Sequence, residues 1–426
     1  MKPIHVLFMV SLFIIGCQSS TNNNKNEVSK IITQEAKDRI DSTLNAFVSS
    51  GEAAGVSALI FEKNKEVYFN AYGSADKESG VPMDRNTIVR IFSMTKPITG
   101  VALMKLHEGG AFKLDDPISK YAPEFADMKV FTDVDEAGKF VLEPARRQIT
   151  IRDLTRHTAG FANPDHPHLG GLVNETDAMN KENTLAGMAK KLATIPLSFH
   201  PGEQWSYGIS VDVQAYLVER ISGEPFDEFI RKNIFDPLGM SNTRYVVPEA
   251  ERKKFAALYR RSENGEISKV PSEFADDFHN RDWPLKPGGF GLTSTVDDYM
   301  KFAQMLVNEG QYNGASVLKE ETINLMATNH LSDSVTERMW LPSKGQVGFG
   351  IDFAVRLQPP ATEDENNGVV GEFFWDGAAT TLFWVDPKNE LTAVFFVQVI
   401  PFYRQFHKKF RDAVYGKYKQ DAVASK

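Results

Sequence analysis

The sequence predicts an α/β protein of the α+β kind: one antiparallel sheet, flanked by helices from both chain ends, with a mostly helical lobe inserted between its halves. Three observations point there. First, "GVSALIFEKNKEVYFNAYG" (55–73) holds two runs rich in β-branched and aromatic residues around the turn "KNK", the pattern of a hairpin. Second, "TTLFWVDPKNELTAVFFVQ" (380–398) repeats that pattern near the other end, with "DPKNE" as its turn. Third, helical spacing brackets both: Ala36, Ile40, Leu44 and Phe47 precede the first hairpin, and an amphipathic run at 402–415 follows the second. Short loops make both hairpins antiparallel, and one sheet built from both ends is the economical way to bury them. On this reading residues 31–105 and 291–420 form the sheet domain. Residues 106–290, rich in Pro and Gly with helical stretches at 184–194 and 210–221, form the lobe. A cleft between two such lobes is the default place for a ligand.

At 426 residues the chain suffices for one large or two closely packed domains. Its 42% hydrophobic and 24% charged content is ordinary for a soluble fold. A net charge of −8 counts against nucleic acid as a partner. Basic runs such as "HKKFR" (407–411), interleaved with Phe402, Phe406 and Phe410, read as the solvated face of a helix.

The N-terminus is more specific. Lys2 precedes the apolar run "VLFMVSLFII" (6–15), too short for the roughly 20 residues that span a bilayer but suited to a signal peptide. Ile14-Ile15-Gly16-Cys17 resembles a bacterial lipobox, and Cys17 is the only cysteine. That resemblance implies a signal peptide over 1–16, lipid on Cys17 and a polar tether over 17–30. With Gln18 after the cysteine, it implies an exported lipoprotein held at the outer membrane, with the lipid bilayer as a partner.

Ser-x-x-Lys occurs three times, at Ser74–Lys77, Ser93–Lys96 and Ser316–Lys319. The first lies in a polar, Gly-bounded stretch read as a turn, the third at the polar start of a surface helix. Only Ser93 opens an apolar helix, running through Ile98, Val101, Leu103 and Met104 to Gly109-Gly110. Pro97 is tolerated near a helix start, where the early N–H groups lack partners. Those free N–H groups favour a developing oxyanion at Ser93. Lys96, one turn on, shares its face. Lysine works as a base only if burial disfavours its charged form.

"FSMTKPITGVALMKLHEGGAFKLDDPISKYAPEF" (92–125) resembles the serine β-lactamase-like hydrolases: class C β-lactamases, penicillin-binding DD-peptidases and the family VIII carboxylesterases. The likeness recurs in "ITIRDLTRHTAGF" (149–161), "FHPGEQWSYGISVDVQAYLVERISG" (199–223), "PGGFGLTSTVDDYMKFAQML" (287–306) and "GEFFWDGAATTLFWVDP" (371–387). It implies a β-lactamase/transpeptidase-like fold, Ser93 as nucleophile, and Tyr207 in "WSYGIS" sharing proton work with Lys96. It also implies an oxyanion hole from the backbone N–H groups of Ser93 and Ala378, with no cofactor and no metal.

Two departures bear on the substrate. Tyr-x-Asn of lactamases is here Tyr207-Gly208-Ile209, so an amide expected to grip a substrate amide is missing. The third motif is Trp375-Asp376-Gly377, without the cation that meets a substrate carboxylate, and Asp376 is expected to repel an anion. Trp375, Asp376, Gly377 and Ile209 are the candidate substrate-binding residues. His166 and His168 in "NPDHPHLGG" (163–171) read as a loop without zinc-ligand spacing, and His157 as a residue that holds a loop. The expectation is an esterase taking a small-molecule ester. A β-lactamase or D-amino-acid peptidase acting on amides and a non-catalytic binding lipoprotein are the alternatives. Oligomeric state is left open by the sequence.

Overall fold

The structure is a computed structural model that describes residues 30–418. The expected signal peptide, Cys17 and all of the expected tether except Lys30 lie outside those residues. The described chain begins with a charge-assisted clamp. The N–H groups of Lys30, Ile31 and Ile32 donate to the buried Glu62 carboxylate at 2.7, 3.1 and 3.2 Å.

Helix α1 (Gln34–Ser49) follows, capped by the Thr33 hydroxyl, which accepts the Ala36 N–H at 3.2 Å. Ala36, Ile40, Leu44 and Phe47 all face the core. Strands β1 (Gly55–Glu62) and β2 (Lys65–Asp76) come next. Lys63 and Asn64 join them with φ of 52° and 60°, the left-handed pair that a two-residue hairpin requires. Strand β3 (Val81–Pro82) lies at the sheet edge. Helices α2 (Thr95–Glu108), α3 (Ser210–Ser222) and α4 (Val296–Val307) lead to strands β4 (Val347–Phe349), β5 (Ala354–Arg356), β6 (Phe373–Asp376), β7 (Leu382–Asp386) and β8 (Leu391–Val397). Helix α5 (Arg404–Tyr415) ends the described fold.

The eight strands form one sheet in the order β4-β5-β6-β7-β8-β1-β2-β3, its paired neighbours antiparallel. The seam is β1 against β8, with Val56 opposite Val397 and Glu62 opposite Leu391. Alternation on β8 assigns its faces. Phe395 packs on Phe410 of α5 (4.9 Å between centroids) and Phe47 of α1 (6.2 Å), whereas Phe396 turns to Tyr299 of α4 (6.5 Å). The terminal helices thus cover one face and α4 the other.

The inserted region is not purely helical. Residues 129–134 and 140–144, within the lobe expected to be mostly helical, form a hairpin. Ser74 also departs from expectation, lying inside β2 rather than in a turn. Ser316 sits in a two-residue strand, with the following helix starting only at Glu320. Both positions satisfied strand pairing that a tetrad search does not weigh.

Two buried histidines tie loops to this frame. His407 Nε2 meets Thr380 O and His279 Nδ1 meets Tyr245 O, each at 2.9 Å. Burial pushes both side chains down to about 4. Such a histidine stays neutral when folded but binds a proton when unfolded below about pH 6.5, so its stability contribution is complete above that pH and is lost as pH falls toward 4. Thermal melting is expected to drop across this window, each histidine accounting for at most roughly 3 kcal/mol. His407→Gln is expected to flatten part of the slope in a melting series from pH 7 to 4.

Candidate active site

Ser93 sits where an extended segment turns abruptly into a helix. Phe92 takes a positive φ of 44°, residues 92–94 form a 3₁₀ turn, and α2 starts at Thr95. The 287–299 segment fixes this corner. Tyr299 OH donates to Met94 O at 2.8 Å, and Thr99 Oγ1 donates to Gly288 O at 2.8 Å. Ser93 stays half-buried while Lys96 is 5% exposed.

Lys96 Nζ points back at the serine. It lies 3.4 Å from Ser93 Oγ, donates to Gly289 O at 2.8 Å, and sits 4.6 Å from the centroid of the Tyr207 ring. Tyr207 OH accepts a hydrogen bond from Trp375 Nε1 at 3.2 Å. The structure therefore gathers Ser93, Lys96, Tyr207 and Trp375, drawn from three distant stretches of sequence, into one contact chain. Ser74 and Ser316 have no part in it.

Tyr207 is held by aromatic packing. Trp205 stacks beside it (5.9 Å), His157 lies beneath (4.7 Å) and Trp340 meets it edge-on (5.0 Å). His157 O accepts the Ser206 N–H at 2.9 Å, so this histidine does hold the tyrosine loop. Its ring nitrogens have no partner among the described residues, and burial, then the Lys96 charge, keep it neutral at ordinary pH. Ile209 is half-buried beside the motif and caps α3.

Backbone approach defines the other wall. At the end of β6, a Cβ on Gly377 would lie 2.5 Å from Ile91 O. Only glycine lets this strand close on the Ser93 turn. Ala378 is exposed in the turn that follows, and its N–H donates to no other group among the described residues. That N–H is therefore left available to a bound group.

The structure revises the charge expected at the third motif. Asp376 does not offer a free anion to the cleft. Its carboxylate is buried in an ion pair with Lys344, and His407 Nδ1 stands 3.8 Å away. Lys344 also lies over the rings of Phe402 (4.3 Å), Trp340 (5.4 Å) and Trp375 (5.6 Å). A cation is therefore present, supplied from the 341–344 turn and neutralised in place. Sequence reasoning missed Lys344 because no motif contains it. It also missed Met339 and Trp340, whose exposure at the rim (47% and 37%) is unusual for such side chains. A carboxamide stands near the tyrosine too. Asn163 Nδ2 donates to Ser206 Oγ at 2.9 Å, and a Cβ on Gly208 would fall 2.5 Å from Asn163 Oδ1. His166 and His168 flank Phe131 on the same loop.

The sequence pattern of the Beta-lactamase family matches residues 40–413. The chain belongs to that family. Protein Rv1367c of Mycobacterium tuberculosis is 32% identical to it over 83% of this chain and 87% of its own length. Lovastatin esterase of Penicillium rubens is 27% identical over 89% and 98%. Among solved structures, EstCE1, described as a hydrolase with promiscuous acyltransferase activity, superposes with a TM-score of 0.74 at 24% identity, covering 90% of this chain and 99% of its own. This beta-lactamase family member is a serine hydrolase with the β-lactamase/transpeptidase-like fold.

Three variants check the third motif and its ion pair. Gly377→Ala is expected to lower kcat on a reactive ester by about 10²–10³-fold, the usual cost of losing an oxyanion donor, with a circular dichroism spectrum like that of the parent. Lys344→Met strands a buried carboxylate and is expected to cost about 3–5 kcal/mol in denaturant unfolding. The double change Lys344→Met with Asp376→Leu is expected to recover most of that.

Proposed function

We propose that the protein is a carboxylesterase acting through an acyl-enzyme on Ser93. The observation that carries this reading is the convergence of Ser93 Oγ, Lys96 Nζ and Tyr207 beside the Gly377–Ala378 turn, with the Trp340 and Trp375 rings packed on the tyrosine. Ser93 Oγ attacks the ester carbonyl carbon while its proton passes to the Lys96–Tyr207 pair. The Ser93 and Ala378 N–H groups hold the oxyanion. Collapse breaks the bond to the alcohol oxygen, which takes the proton and departs. Water then repeats the sequence on the acyl-serine, releasing the acid and restoring the free hydroxyl.

Substrate class follows from charge and shape. The Lys344 charge is spent on Asp376, so a free cation for a carboxylate is not offered as it would be in a lactamase or peptidase. The exposed Met339–Trp340 pair beside Tyr207 suits a neutral, apolar acyl group. That same pair supports a second reading, transfer of the acyl group to an alcohol in place of water, an activity named for EstCE1. We further propose that Cys17 carries lipid and holds the enzyme at the outer membrane, an assignment supported by the lipobox-like stretch at 14–17.

Purified protein is expected to hydrolyse a short-chain aryl ester and to leave a chromogenic cephalosporin and a D-Ala-D-Ala peptide nearly untouched. Ser93→Ala is expected to reduce ester turnover by about 10³-fold or more and to abolish fluorophosphonate labelling. Turnover of only the lactam or the peptide would sink the esterase reading.

A further inference from the structure

Two buried carboxyl groups lie close to Lys96, and neither is used by the mechanism above. Asp212 stands in the first turn of α3 and is 4% exposed. Asp352 lies in the link between β4 and β5 and is fully buried. The two are not equivalent.

Asp212 is joined to Lys96 through one residue. Gly289 accepts from Lys96 Nζ with its carbonyl at 2.8 Å and donates its N–H to Asp212 Oδ1 at 2.9 Å. A methyl group on Gly289 would lie 2.8 Å from Asp212 Oδ2 and 3.2 Å from Lys96 Nζ, so ammonium and carboxylate flank this one backbone position. Neighbouring Gly288 is wedged as tightly, since a Cβ there would meet Ala215 of α3 at 2.8 Å and Thr99 of α2 at 3.0 Å. The Gly288–Gly289 segment is a spacer threaded between the serine helix and the tyrosine helix. It keeps the two charges near each other without a direct contact.

Asp352 is built differently. Its Oδ1 accepts from Gln214 Nε2 at 3.0 Å, while its Oδ2 has no partner among the described residues and packs against Gly100. Burial pushes it well above the usual carboxylate range, so it stays a neutral acid. Burial also raises Asp212, but the Lys96 charge and the backbone N–H groups hold it to about 6. Asp212 is ionised at neutral pH. Tyr207 faces Lys96 on the open side. The other titratable groups packed here are neutral: His157 beneath that ring, and the buried Tyr245, whose hydroxyl donates to Pro287 O across the spacer.

We propose that Asp212 is the counter-ion of Lys96, a positioning residue that acts through Gly289 to keep the lysine an ammonium during attack. This rests on Ser93 being the nucleophile. It assigns the proton work: with Lys96 held as a cation, Tyr207 acts from the phenolate form that this charge favours, taking the Ser93 proton as Oγ attacks and, as the phenol so formed, giving it to the leaving alkoxide. Lys96 itself neither gains nor loses a proton in the step.

The test reads nucleophile activation without assuming a substrate, as the rate of Ser93 labelling by a fluorophosphonate from pH 5 to 10. Asp212→Asn keeps the acceptor for the Gly289 N–H but removes the charge. An opposite charge at this range shifts a titration by about one to three pH units. In the variant the high-pH limb is therefore expected to move down by about that much, with a labelling rate at pH 7 reduced by about tenfold or more. Asp212→Glu is expected to restore the limb in part, and Asp352→Asn to leave its position alone. A limb that does not move, or a rate at pH 7 that rises because a neutral lysine is the base, overturns the proposal. Should Asp212→Asn fail to fold, infrared titration of the parent decides. One carboxyl losing its proton near pH 6 supports the assignment, and none doing so overturns it. A parent protein unlabelled at every pH overturns the nucleophile reading together with this one. Normal labelling and limb shift without ester turnover would overturn the substrate reading alone.

Discussion

The pairing of β1 with β8 is the constraint on which the rest of the molecule depends. It joins residues 55–62 to residues 391–397, so the sheet closes only after most of the chain has been placed. Register here is set by side chains rather than by a turn. A slip of one residue would exchange Phe395, which belongs against the terminal helices, with Phe396, which belongs against α4. Because β6 is tied to this seam through β7, the same register fixes where Gly377 meets the Ser93 turn. The geometry around Ser93 is thus a distant consequence of strand pairing between the two ends of the fold.

Within the cleft the recurring theme is compensation of charge at short range. Lys96 has the Tyr207 face, the Gly289 carbonyl and Asp212 around it. Lys344 has three aromatic faces and Asp376. Burying a charge is expensive, and removing one member of a buried pair leaves the other uncompensated. A site built this way presents little net field to an incoming molecule. That distinguishes it from a cleft that recognises an anion by a free cation.

Much of this was legible in the sequence, and the limits have physical causes. Both hairpins and both terminal helices were readable because periodicity and turn residues are local signals. Ser93 could be chosen among three tetrads because only its helix is apolar around the lysine. What was hidden was long-range. Lys344 meets Asp376 by tertiary contact alone, and the residues around it carry no pattern that would single it out. The mistaken expectation of a bare acid at Asp376 came from reading a strand without its neighbours. Gly288 and Gly289 stood in a recognised stretch, yet their use as a spacer shows only when α2 and α3 are brought together. The hairpin at 129–144 escaped because its exposed strands lack a buried face to impose alternation.

The carboxylate of Glu62 receives the chain as it enters the sheet, accepting three successive N–H groups from residues 30 to 32. The described chain is therefore held to the sheet first by an anion and its donors rather than by its first apolar side chain, Ile31. In practical terms this is a cutting line. A shortened version that begins at Lys30 keeps these three donors, whereas one trimmed to the start of α1 discards them from a buried acid.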